Sequence, residues 1–147
     1  MDPAPWNPWR ALRDRPEIEL RFADLGTLRG LWQRDHLGEL IVLDAGLDRR
    51  ARRCVLAHEL IHAERGIGHG AASPASMEHE EEAVRRETAR RLVPTEPLTA
   101  FVDARIALDE PVLVEDVADE FDVEHDVAAK ALDLLRLAQR RCGGRRC

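Results

Sequence analysis

A chain of 147 residues, 44% hydrophobic and 34% charged, is long enough for one domain with its own buried core, and no apolar run approaches the roughly 18 residues that would span a bilayer. The formal net charge of −6 disfavours a domain held to nucleic acid by phosphate contacts. Three cysteines, Cys54 in mid-chain and Cys142 and Cys147 in an Arg/Gly tail, make no secreted disulfide framework, and the first residues lack the basic and apolar regions of a signal peptide, so the expected compartment is the cytoplasm.

Pro3, Pro5, Pro8 and Pro16, with Trp6 and Trp9 among them, predict an N-terminal arm over residues 1–16 pinned by two indoles, with room for a short helix from Trp9 to Arg15. Glu17 to Phe22 alternates strictly, with Ile18, Leu20 and Phe22 on one face, which is the period of a half-buried strand. Leu28 to Trp32 and Glu39 to Leu43 are two further strands, joined by a turn containing Asp35, His36 and Gly38. A small antiparallel sheet is the economical assembly of the three.

Asp48 is a candidate N-cap for a helix running to about Glu64 and ended by Gly66. Ala51, Cys54, Val55, His58 and His62 form one stripe on it, apolar at its start and imidazole at its end. Arg65 to Ser76 reads as a loop, Met77 to Val93 as a second helix stopped by Pro94, and Leu98 to Ala107 as a third. Val112 to Gln139 reads as two helices breaking near Asp122 and Val123, and the tail 140–147 as disordered.

His58-Glu59-Leu60-Ile61-His62 is an HExxH sequence inside the best-defined helix. Two histidines four residues apart project from adjacent turns of one face, so both rings can reach a single Zn²⁺, while Glu59 can serve a water there as general base. A catalytic zinc needs a third protein ligand. The cluster Glu78, His79, Glu80, Glu81 and Glu82 is the source, and Glu81 shares the least polar stripe of its helix with Val84, Thr88 and Leu92. His79, Glu80 and Glu82 remain alternatives, since acidic residues near a helix start also serve the dipole and pair with Arg85 or Arg86.

The stretch Arg53 to Gly66, followed by Glu81-x-x-Val84 and Thr88-Ala-Arg-Arg-Leu-Val-Pro94, resembles the ImmA/IrrE family of small zinc metallopeptidases. Carried over by position, the resemblance makes His58, His62 and Glu81 metal ligands and Glu59 the catalytic base. Val84, Arg85 and Glu87 depart from the residues usual there. The resemblance implies a cytoplasmic peptidase that cleaves, or helps inactivate, a DNA-binding repressor. The resemblance covers about residues 17–100, and the expected fold is α+β: a zincin-like metallopeptidase core over residues 17–110, carrying the sheet, with a C-terminal helical pair over 111–139 packed on it or serving as a docking surface for a partner.

Substrate could pair as an added strand with Glu39 to Leu43. There is no tyrosine to assist an oxyanion, which leaves zinc with His36, His69, His125 or an arginine. Val114 to Leu135 has a helix-turn-helix rhythm, yet between Glu115 and Asp126 it carries seven carboxylates and no Lys or Arg, so direct nucleic-acid binding is not expected. The alternative to a peptidase is a catalytically weak metal-binding protein that controls a transcription factor by contact.

Overall fold

Alternation in the first third of the chain produces three short strands, and the helical periods after it produce a long helix that the strands must cover. The computed structural model describes residues 4–67 and 73–144, and among these the order is α1 (Pro8–Arg13), β1 (Ile18–Ala23), β2 (Gly30–Asp35), β3 (Gly38–Asp44), α2 (Arg49–Arg65), α3 (Pro74–Leu92), α4 (Thr95–Ala107), α5 (Val114–Phe121) and α6 (His125–Gly143). The fold is α+β. The short helix in the N-terminal arm forms, capped by Asn7, whose side chain accepts from the amides of Trp9 and Arg10.

The sheet corrects two expectations. Its order is β1-β3-β2, and β3 runs antiparallel to β2 but parallel to β1, so the sheet is mixed. The physical reason is the connection: residues 24–29 carry the chain from the end of β1 back across the sheet, and β2 enters antiparallel to β1 with β3 inserted between them. Glu39 to Leu43 therefore lies in the central strand, hydrogen-bonded on both sides, and cannot accept an added strand. The exposed edges belong to β1 and β2.

Two cores meet on α2. Ile18, Trp32, Ile41 and Leu43 from the sheet bury Val55, Leu56, Leu60 and Ala63 on one side of the helix. On the other, Cys54 and Ala57 pack with Leu92, Val93, Leu98, Val117, Val123, Leu132 and Leu135 of the later helices. A helix covered on both faces is buried nearly all round, which is why its exposed residues are few despite its charged sequence. Burial in the second core also pushes the Cys54 thiol up to about 11, leaving it inert at neutral pH.

Helix ends follow local chemistry. Asp48 caps α2 through the Ala51 amide at 2.8 Å, and Gly66 ends it at φ 68°, donating to the His62 carbonyl. Helix α3 starts three residues before the expected Met77, because Pro74 occupies the first turn behind a Ser73 cap. Helix α4 likewise starts early, at Thr95, with Pro97 tolerated in its first turn, and α6 continues through 140–143, which the sequence reading placed in a disordered tail. The rest of that tail, 145–147, and residues 68–72 of the loop before α3 lie outside the described residues. Asp122, at φ 52°, makes the expected break between α5 and α6.

Candidate metal centre

The i,i+4 spacing on α2 stacks the His58 and His62 rings edge to face, with centroids 4.9 Å apart. Helix α3 crosses opposite them and brings Glu81 between the two: Oε2 lies 3.2 Å from His58 Nε2 and Oε1 lies 2.8 Å from His62 Nε2. One ligand atom from each residue falls within 4.8 Å of the others, a set of two imidazoles and one carboxylate able to hold a divalent metal ion. Hydrogen bonding from His58, aided by the charge of both imidazoles, pulls the Glu81 carboxyl down to about 2. The centre is half open: His62 is buried at 2% exposure, while the His58 and Glu81 side chains keep 23% and 27%.

The rival ligands are engaged elsewhere. Arg65 clamps both oxygens of Glu80, at 2.5 and 2.8 Å, and this pairing lets Glu80 be more buried than its polar stripe suggests. Lys130 of α6 takes Glu82, and His79 is exposed. Glu81 alone of the acidic cluster meets the two histidines, as its stripe with the buried Val84, Thr88 and Leu92 predicts.

Glu59 is 6% exposed and lies against the start of β2, beside Gly30. Burial pushes its carboxyl up to about 7, opposed by the neighbouring His58 and reinforced by Glu81. Gly30 makes this closeness possible. A Cβ built there would stand 2.5 Å from Val55 Cγ1 and 2.9 Å from Glu59 Oε1, so strand and helix could not approach as they do. Gly30→Ala is expected to lower stability by about 1–3 kcal/mol, the cost of overpacking. Urea unfolding checks it, and an unchanged midpoint would show that β2 is free to shift.

These groups line a cavity of about 830 Å³. Its other walls are the approach to β2, from Leu28 to Leu31, and the first turns of α6, with Glu124, Asp126, Val127 and Lys130. An Arg29–Glu124 ion pair at 2.5 Å ties these two walls together. A sequence reading had no signal for this: the contact joins residues far apart in the chain. The first turns of α6 therefore face the same cavity as the histidines.

The model of the IrrE N-terminal-like domain, which defines the M78 peptidases, matches residues 13–133. The chain belongs to the M78 peptidase family. No match to a curated protein was found. Membership carries a metallopeptidase-type function, with a protein as substrate. For an M78 peptidase the absence of tyrosine leaves oxyanion assistance to other groups, and of those named above His36 sits in the β2–β3 turn and His125 points to Glu115, both away from the cavity. His69 lies outside the described residues. Among the arginines, Arg29 lines the cavity at the approach to β2, held by Glu124.

Proposed function

We propose that this M78 peptidase is a zinc-dependent endopeptidase of the HExxH-plus-Glu kind, with His58, His62 and Glu81 as ligands and Glu59 as general base. The observation that carries the reading is the convergence of those three side chains on an open cavity beside a buried carboxylate. His58, His62 and Glu81 would hold the ion, and zinc bound there would supply Lewis acidity toward a carbonyl and toward water. Glu59 takes the proton of the attacking water and hands it to the leaving amine. Its burial beside Gly30 at the start of β2 restricts where its carboxylate can lie during both transfers.

The peptide is held in an extended form against β2, whose outer edge is unpaired and whose approach lines the cavity. The target we favour is a DNA-binding repressor or regulator in the cytoplasm, on the strength of the resemblance drawn from residues 53–66 and 81–94. Among the described residues no helix is long and apolar enough to cross a membrane. We assign the start of α6 to the cavity wall rather than to nucleic acid, since Glu124, Asp126, Val127 and Lys130 face the site, with α5 packed beside it in the second core. The partial exposure of His58 and Glu81 favours a peptidase over a regulator that holds its metal in a closed structural site.

Zinc-loaded protein incubated with a purified candidate repressor is expected to cut it at one or a few bonds. Cleavage should stop with 1,10-phenanthroline and return on adding Zn²⁺. Cleavage that persists in chelated, metal-free protein would sink the proposal.

A further inference from the structure

Three cations line the cavity, and two of them are committed. Arg29 pairs with Glu124 at 2.5 Å, and Lys130 pairs with Glu82. The third, Arg85, is exposed and has no ion pair or hydrogen bond among the described residues, although its neighbours on α3 do: Arg86 with Glu82, Arg90 and Arg91 with Glu87. Arg85 follows Glu81 by four residues, so it rises from the same face of α3, one turn along from the metal centre. A free guanidinium at that distance presents a planar donor fork to whatever lies in the cleft beside the scissile bond.

We propose that Arg85 is a specificity-determining residue, selecting a substrate with an acidic side chain close to the bond that is cut. The inference rests on the metal-centre reading above. Two carboxylates of the cavity also have no ion pair among the described residues: Glu59, buried and assigned above as the general base, and Asp126, on the α6 wall. Asp126 lines the cleft from the start of α6 and would favour a basic side chain instead. Arg85 prevails near the metal because it shares its helix face with Glu81, whereas Asp126 stands in the first turn of α6 and its carboxylate already accepts from the Val127 amide.

The test is binding to zinc-loaded protein, followed by calorimetry. The probes are acetohydroxamate and short peptide hydroxamates identical except for Glu, Gln or Lys at the first or second position from the hydroxamate. Wild type is expected to bind a Glu probe about five- to tenfold more tightly than its Gln twin, a preference that shrinks in high salt. In Arg85→Gln the two should bind within about twofold of each other, in Arg85→Lys part of the preference should return, and acetohydroxamate should bind all three proteins alike. Equal binding of Glu and Gln probes by wild type, tighter binding of the Lys probe, or a Glu preference that survives in Arg85→Gln would each overturn the assignment while leaving the metal centre standing. If acetohydroxamate fails to bind zinc-loaded wild type, the metal-centre reading itself fails and this one falls with it.

Discussion

Glu59→Gln is expected to lower peptide-bond cleavage by about 10²–10⁴-fold while leaving zinc content at the wild-type level. Glutamine has nearly the same shape and volume, so the packing of α2 against β2 beside Gly30 survives. What it loses is the ability to take a proton. The substitution also removes a carboxylate that burial disfavours, at a residue only 6% exposed, so the metal-free variant should be no less stable than wild type. Turnover measured beside elemental analysis checks both halves. Cleavage undiminished in pure, zinc-replete Glu59→Gln protein would rule out Glu59 as the base.

Loss of any one ligand should be equally decisive for the metal. His58→Ala, His62→Ala and Glu81→Ala are each expected to carry under about a tenth of the wild-type zinc after dialysis, because two protein ligands do not hold the ion against water. Glu80→Ala is the informative control. Its carboxylate belongs to Arg65, so this variant should retain zinc within about twofold and lose only the pair between α2 and α3. Zinc lost from Glu80→Ala but kept by Glu81→Ala would reverse the assignment of the third ligand. His62→Ala should also unfold more easily than His58→Ala, since His62 is 2% exposed and leaves a cavity, whereas His58 already borders solvent.

The two-core arrangement explains how a helix with so many charges can hold a precise site. Arg53 donates to the carbonyls of Phe121 and Asp122, and Arg50 pairs with Asp119 and Asp122, so the α5–α6 turn is fastened to the helix that carries HExxH. The C-terminal pair thus does two things at once: it completes the second core through Val117, Val123 and Leu132, and it supplies a wall of the cavity. Within this acidic segment Asp119 and Asp122 are answered by Arg49 and Arg50 of α2, and Glu124 by Arg29 just before β2.

Local chemistry in the chain was enough for the elements whose signals are short-range. The Asp48 cap and the Gly66 stop bound α2, the stripe of Val84, Thr88 and Leu92 points Glu81 inward, and the left-handed Asp122 breaks the last two helices, each within a few residues. The HExxH pair was legible for the same reason, since four residues along one helix set the separation of two rings whatever surrounds them. Strand partners were not. Alternation in 17–22 tells which side chains share a face but not which neighbour pairs with the strand, and the parallel contact of β1 with β3 depends on how the connection over 24–29 crosses the sheet. The start of α3 was missed because the Pro74 that opens it also reads as a loop residue.

By itself, then, the sequence determined the class of the fold, the ends of the HExxH helix, and which three side chains could meet beside it, because caps, stops and helical periods act over a few residues. Only tertiary packing decided that β3 is central and β2 the edge, that Glu80 and Glu82 are occupied by Arg65 and Lys130, that Glu59 is buried behind Gly30, and that α6 walls the cleft. Each of those depends on atoms brought together from distant parts of the chain, where solvent exclusion and charge pairing, rather than local backbone preference, choose the partner.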